Sequence, residues 1–215
     1  MPFFEGATGA VHYRSWTTAH PRLIVVFLHG LGQNSGHYHR FARVMNGRDI
    51  DVWAIDHVGH GLTEGELSDA SQIEGLADNA LQLAAIAQSE RDGIPLALMG
   101  HSLGAATAIA ALDKDSSRFT SAVLCATPKS VVGAAVADLR SSTVPLLALH
   151  GMDDRMASID AVRTWIPSVP GAQLKEYENA GHDLLHEKIH RTVSLDAAEF
   201  MLGCIDIKVY RHKGV

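Results

Sequence analysis

The tightest constraint in this sequence is Gly100-His-Ser102-Leu-Gly104, set between the apolar run Leu96–Met99 and an Ala-rich run that begins at Ala105. Taken alone, a G-x-S-x-G pentapeptide is weak. Between a strand former and a helix former it specifies a sharp strand–turn–helix corner. Both glycines are needed there, because a side chain at either would meet the backbone that crosses it. The serine between them is held in a strained conformation. Its hydroxyl stands at the N-terminus of the following helix, where the dipole favours developing negative charge.

The rest of the chain alternates strands and helices around that corner. Residues 1–16 read as edge strands. Leu23-Ile-Val-Val-Phe-Leu28 is apolar on both faces, the pattern of a central strand covered on both sides. It runs into His29-Gly30-Leu31-Gly32 and then a helix over about 37–45. A second buried strand, Asp51–Ile55, leads to Asp56-His57-Val-Gly-His60-Gly. Ser71–Ser89 reads as a helix, with Ser71 and Glu74 as a capping box and Leu76, Ala77, Ala80, Leu83 and Ala84 on one face. Further strands are expected at 121–126, 145–150 and 173–177. Helices are expected at 159–166 and from about Leu185 to Leu202. Such alternation predicts a mostly parallel sheet with helices on both faces, in a single domain spanning residues 1–215. Ligands of such sheets sit at the carboxyl ends of the strands, where the Gly-rich loops after His29, Asp56 and Gly100 fall, as does the loop after His150.

A serine hydroxyl is a weak nucleophile until a base takes its proton, and the base needs a third group to orient it. In this architecture the order is Ser, then Asp or Glu, then His. The strand ending at His150 leads into Gly151-Met-Asp153-Asp154, and the strand ending at Tyr177 leads to Ala180-Gly-His182. Ser102, Asp154 and His182 are therefore the catalytic candidates, with Asp153 as the rival acid and His186 and His190 as rival bases. The backbone N–H groups of Leu31 and Leu103 are the oxyanion-hole candidates. Gly30, Gly32 and His101 are the candidate substrate contacts, although His101 is also placed to pack beneath the corner. His57 and His60 read as rim or structural residues, Asp56 as a loop-fixing acceptor, and Met152 and Met156 as local packing. His182-Asp-Leu-Leu-His186 nearly matches the zinc motif H-E-x-x-H, but His182 follows Gly181 on a loop and no third ligand is indicated. No metal and no cofactor are expected.

These residues resemble the α/β-hydrolases, and within them the monoacylglycerol lipase and lysophospholipase-like branch. His29-Gly-Leu-Gly-Gln33-Asn34-Ser-Gly-His-Tyr38 is similar to that branch's H-G-x-G-E-H-S-G-x-Y, and Asp56–Gly65 to its D-x-x-G-H-G-x-S-x-G. Gly100–Gly104 matches G-H-S-x-G. His150–Asp154 resembles H-G-x-x-D, which places the acid on Asp154, and the stretch around His182 resembles G-x-H-E-x-x-x-E. The resemblance implies an α/β-hydrolase fold and a small-molecule carboxylic-ester substrate, with monoacylglycerols and related lipid esters as the branch's substrates. Acyl transfer or perhydrolysis on the same triad, or a hydrolase fold kept for binding alone, are the alternatives.

Three departures stand out. Gln33-Asn34 replace Glu-His beside the oxyanion loop. Thr63 replaces a serine. Where the branch inserts a helical cap, this chain has only Thr127–Thr143, with room for a short helix at Val131–Leu139. A minimal or absent cap implies an open site that prefers short- to medium-chain acyl esters.

Charge and composition narrow the partners. A formal net charge of −6 argues against nucleic acid or an anionic membrane. The longest aliphatic or aromatic run, Leu23–Leu28, is far too short for stable membrane insertion. The opening residues lack the charged and apolar regions of a signal peptide, which leads to the expectation of a cytoplasmic protein. The two cysteines, Cys125 and Cys204, are expected as thiols.

Overall fold

The computed structural model describes residues 1–6, 8–66, 68, 72–129, 139 and 142–212, the last seven by backbone alone. Eight strands form one sheet: β1 (Phe3–Gly6), β2 (Gly9–Trp16), β3 (Leu23–Leu28), β4 (Ile50–Ile55), β5 (Leu96–His101), β6 (Ser121–Cys125), β7 (Leu146–Gly151) and β8 (Gln173–Tyr177). Their spatial order is β1-β2-β4-β3-β5-β6-β7-β8. β1 and β2 are the antiparallel edge, and β4, β3, β5, β6, β7 and β8 run parallel. This is the mostly parallel α/β-hydrolase sheet that the alternating pattern predicts.

Side-chain period explains how the helices attach. Successive residues of a strand point to opposite faces. In β3, Ile24, Val26 and Leu28 join a core built with α2 (Ile73–Glu90), α3 (Leu103–Asp115) and α4 (Ile159–Trp165). Leu23, Val25 and Phe27 join a second core on the other face, built with α1 (His39–Asn46) and α5 (His190–His212). All six β3 residues are buried, which is why the run is apolar without alternation. α2 and α3 meet through alanines, with Ala77, Ala80, Ala84, Ala105 and Ala108 all buried. Small side chains let the two helices approach closely and still fill the space.

The elements depart from expectation at their ends. The helix expected from about 37 opens as a 3-10 turn, Ser35–Tyr38, capped by the Asn34 side chain on the Gly36 N–H. The helix expected from Leu185 begins at His190. Residues 183–189 instead fold into turns, in which the Asp183 carbonyl takes the N–H of both His186 and Glu187. The Glu187 carboxylate reaches back to the Gly181 N–H, holding this segment as a loop. α2 starts at Ile73, and Ser71 of the expected capping box lies outside the described residues. So does the helix expected at Val131–Leu139, except for Leu139 itself, which is buried. Cys125 and Cys204 are both buried, and neither forms a disulfide. No described helix is long and apolar enough to cross a membrane.

Candidate active site

The carboxyl ends of β3, β4, β5, β7 and β8 bring the predicted residues together. At the end of β5 the chain reverses into α3 within one residue. Ser102 makes that reversal with φ 52° and ψ −114°, a left-handed conformation costly for a residue with a Cβ. The corner is possible because its flanks are glycines. A Cβ on Gly100 would sit 2.1 Å from the Gly104 carbonyl oxygen, and one on Gly104 would sit 2.0 Å from the Leu28 carbonyl oxygen. The Ser102 N–H is tied to the Cys125 carbonyl at 2.9 Å, which anchors the strained residue to the neighbouring strand.

His182 Nε2 lies 2.9 Å from Ser102 Oγ, and His182 Nδ1 lies 2.7 Å from Asp154 Oδ2. A carboxylate only accepts, so the proton of the neutral imidazole sits on Nδ1. Nε2 is left with its lone pair facing the serine hydroxyl. Of the two candidate acids, Asp154 is the buried one that reaches His182, while Asp153 is exposed. His186 lies in the loop before α5, against Tyr38 and 4.8 Å from it between ring centroids. His190 starts α5 with its Nδ1 on the Glu187 carbonyl.

The Asp154 carboxyl is held ionised by its surroundings. Burial alone would push its pKa up. Hydrogen bonds from His150 and His182 and from the Ala157 N–H outweigh burial and hold it well below the usual carboxylate range. Oδ1 accepts from Met156 N and Ala157 N, both at 2.8 Å. His150 Nε2 lies 3.3 Å from Oδ2 and donates to the Ala157 carbonyl at 2.8 Å. His150 was not among the predicted site residues. The sequence signal is a histidine directly after the apolar run Leu146–Leu149, as the penultimate, buried residue of β7 before Gly151.

The candidate oxyanion loop, residues 29–32, is fixed by side chains of its own and neighbouring loops. Leu103 N–H is the first of α3 and has no intrahelical acceptor. Leu31 stands at the tip of the β3 loop with 61% of its surface exposed. On either side of it, the N–H of Gly30 goes to Gln33 Oε1 at 3.0 Å and that of Gly32 to His60 Nε2 at 2.9 Å. The Gly30 and Gly32 N–H groups, candidate substrate contacts, are thus taken by the protein itself. His60 Nδ1 donates to the Val58 carbonyl, so its two nitrogens join the β4 loop to the β3 loop. Asp56 is the acceptor expected of it: it takes the N–H of Ser35 at 2.6 Å and of Leu62 at 3.0 Å, with His12 Nδ1 at 2.8 Å.

His101, also a candidate substrate contact, points away from the site. It is buried, with Nε2 donating to the His182 carbonyl at 2.9 Å and Nδ1 facing the Tyr38 hydroxyl at 3.3 Å. Burial brings its pKa down to about 4, only partly opposed by that hydrogen bond. Gln33 completes the framework: Oε1 accepts from the Tyr38 hydroxyl, and Nε2 donates to Asp183 Oδ1 at 3.1 Å. It ties the oxyanion loop to the loop of His182. Met152 and Met156, expected as local packing, are instead exposed at 43% and 79% on the Asp154 loop.

Comparison with known proteins agrees with the fold and the motifs. The family described as "Serine aminopeptidase, S33" matches residues 19–131, just over half of the chain. A monoglyceride lipase of Homo sapiens is 33% identical over 167 residues, covering 74% of this chain and 55% of that protein. The chain thus spans about half the length of such curated relatives. A solved monoacylglycerol lipase of Paleococcus ferrophilus superposes with a TM-score of 0.77 at 17% identity, covering 90% of this chain and 99% of that one. A serine hydrolase of Xanthomonas campestris described as having no lid superposes with a TM-score of 0.74 at 18% identity, covering 95% of this chain and 92% of that one. The eight-stranded sheet, the ordered motifs and these similarities make the chain a member of the serine aminopeptidase S33 family of α/β-hydrolases, on its lipase- and esterase-like, monoacylglycerol lipase-like side.

Proposed function

We propose that this chain is a serine carboxylic-ester hydrolase in which Ser102 is the nucleophile, His182 the general base and Asp154 the group that orients it. The observation that carries the reading is the continuous hydrogen-bonded line from Ser102 Oγ through His182 to Asp154, at 2.9 and 2.7 Å. His182 Nε2 takes the hydroxyl proton as Oγ attacks the ester carbonyl. The tetrahedral oxyanion meets the N–H groups of Leu31 and Leu103. Its collapse expels the alcohol, which leaves with the proton that His182 returns, and an acyl-serine remains. Water, deprotonated by His182, then releases the acid. Asp154 stays ionised throughout and favours the imidazolium formed in each half-reaction. No metal or cofactor is called for.

Relatives named as monoglyceride lipases support an acylglycerol-type ester such as a monoacylglycerol as substrate, and the motif resemblance extends the reading to lysophospholipids. The short segment Thr127–Thr143, and a rim with Leu31, Met152 and Met156 exposed, favour short to medium acyl chains over long ones. We read residues 1–215 as one hydrolase domain. The family's name carries a second reading, release of an amino-terminal residue, and the same assay separates the two.

The test labels wild type and Ser102→Ala with a fluorophosphonate, then measures kcat/KM on glyceryl and nitrophenyl esters of graded length beside amino-acid anilides. Labelling confined to wild type and a maximum on short or medium esters supports the proposal. Labelling that survives in Ser102→Ala overturns the nucleophile, and a maximum on long chains overturns the substrate class. Faster anilide cleavage favours the peptidase reading. Full labelling with no turnover of any ester would leave a binding protein.

A further inference from the structure

A concave surface lies between α1 and α5, lined by none of Ser102, His182 and Asp154. It is a cavity of about 620 Å³ lined by His39, Arg40, Arg43, Val44, His190 and Arg191. Positions 39, 40, 43 and 44 share one face of α1, and 190 and 191 open α5 beside it. In a chain of net charge −6, this groove gathers three arginines and two histidines. Among the described residues, none of the three guanidinium groups has an acidic partner within 4.0 Å. Neither α1 nor α5 has an acid in its first turn. The acids of the adjoining loop are turned elsewhere, Glu187 onto the Gly181 N–H and Asp183 onto Gln33.

The placement works against helix stability. Arg40 and Arg191 stand in first turns, where a cation opposes the helix dipole, whereas Arg43 is in the last turn of α1; neighbouring guanidinium groups also repel one another. A bound anion would reverse both terms at once. Guanidinium groups recognise phosphate and carboxylate with paired hydrogen bonds. The groove is open to solvent on one side and leaves room beside a phosphate for the molecule that carries it.

We infer that the groove between α1 and α5 is a binding site for a phosphate-bearing anion, held by Arg40, Arg43 and Arg191 with His39 and His190 at its sides. The site is independent of ester hydrolysis and is read by binding alone. Its ligand class is a phosphomonoester or phosphodiester, on a lipid headgroup or on a soluble metabolite.

The test is calorimetric titration of the full chain with inorganic phosphate and with glycerol 3-phosphate, against chloride at matched ionic strength. Wild type should bind both phosphates saturably, glycerol 3-phosphate more tightly. Arg40→Gln/Arg43→Gln should weaken binding at least about tenfold. Arg191→Gln should weaken it separately, Arg40→Lys should fall between, and Arg48→Gln, outside the groove, should leave it unchanged. Circular dichroism and thermal unfolding verify each variant's fold, and Arg191→Gln carries the test should the double variant not fold. Flotation with vesicles of equal parts phosphatidylcholine and phosphatidylglycerol, against phosphatidylcholine alone, assigns the source. Arginine-dependent flotation with the anionic vesicles only indicates a headgroup, and phosphate binding without flotation indicates a soluble phosphate. Binding no stronger than chloride, or unchanged in folded Arg40→Gln/Arg43→Gln and Arg191→Gln, overturns the inference.

Discussion

Acid should unfold this protein through histidines that never touch the substrate. His29 and His101 are buried on either side of the oxyanion loop, and burial brings each from an ordinary 6.5 down to about 4. Bonding acts both ways at His29: the Nδ1–H donated to the Gly30 carbonyl at 2.8 Å partly opposes the shift, while Nε2 accepts the His57 N–H at 2.9 Å. A proton on Nε2 would face that N–H with nothing to accept it. The unfolded chain takes up a proton on each histidine as pH falls below 6.5, whereas the folded chain does so only near 4. Between these values the unfolded state binds more protons, so stability falls as pH falls. The gap of about 2.5 pH units, at about 1.4 kcal/mol per unit, is worth roughly 3 kcal/mol for each histidine. His57, whose pKa burial pushes well below the ordinary value, acts in the same direction. Two such groups remove a large part of the ~5–15 kcal/mol that holds a domain together. Urea unfolding followed by tryptophan fluorescence should show a midpoint that is flat above about pH 7 and drops steeply toward pH 4. His101→Gln should be less stable at neutral pH, because it loses the bond to the His182 carbonyl. Its slope against pH should be shallower by up to about 1.4 kcal/mol per unit. A midpoint unchanged from pH 7 to 5, or a His101→Gln slope equal to wild type, would refute the reasoning.

Other perturbations separate the parts of the site. Asp154→Asn should leave KM near wild type and lower kcat on a short-chain ester by roughly 10⁴-fold, because an amide no longer enforces the Nδ1–H tautomer of His182. Gly104→Ala drives a Cβ to 2.0 Å from the Leu28 carbonyl oxygen; a loss of roughly 2–4 kcal/mol is expected in urea unfolding, well above that of Gly203→Ala, where a Cβ meets nothing within 4 Å. Gln33→Glu places a carboxylate against Asp183 and removes the donor between the two loops. It should lower kcat more than it raises KM, and a charge-restoring Asp183→Asn should recover part of the loss. His60→Phe should weaken the hold on Gly32 and cut kcat about tenfold or more, with little change in Ser102 labelling by small fluorophosphonates.

What was legible in the sequence is what a period or a fixed order encodes. β3 could be read as central because six apolar residues in a row leave no face for water. Ser102, Asp154 and His182 could be singled out together because each lies in the segment that follows a strand, near a glycine, in the order this architecture uses. Less visible was whatever depends on a hydrogen bond between distant loops. The sequence does not show that Gln33 meets Asp183 across 150 positions, or that His60 supplies the acceptor for Gly32. Adjacency to Ser102 in sequence does not decide whether His101 meets substrate or packs beneath the corner, because it is not adjacency in space. Consecutive residues at a strand end point to opposite sides, so the serine faces the site while the histidine enters the core. The start of α5 at His190 has a related cause. Residues 185–189 carry a helical apolar pattern, but Glu187 bonds back to Gly181 to hold the His182 loop.

The buried histidines and the strained serine belong to one arrangement. A serine at φ 52° keeps its geometry only if the surroundings over-determine it. Around it, His29 joins the end of β3 to the start of the β4 loop, His60 joins that loop back to Gly32, and His101 joins the nucleophile corner to the His182 carbonyl. Each uses a neutral imidazole, which can donate from one nitrogen and accept at the other, as no lysine, arginine or carboxylate can. The arrangement therefore works only where imidazole is unprotonated, which is also the state His182 must be in to accept the Ser102 proton. Loss of activity in acid should accordingly track collapse of the histidine framework: it follows the unfolding curve, recovers at the rate of refolding, and appears in fluorescence as well as in turnover.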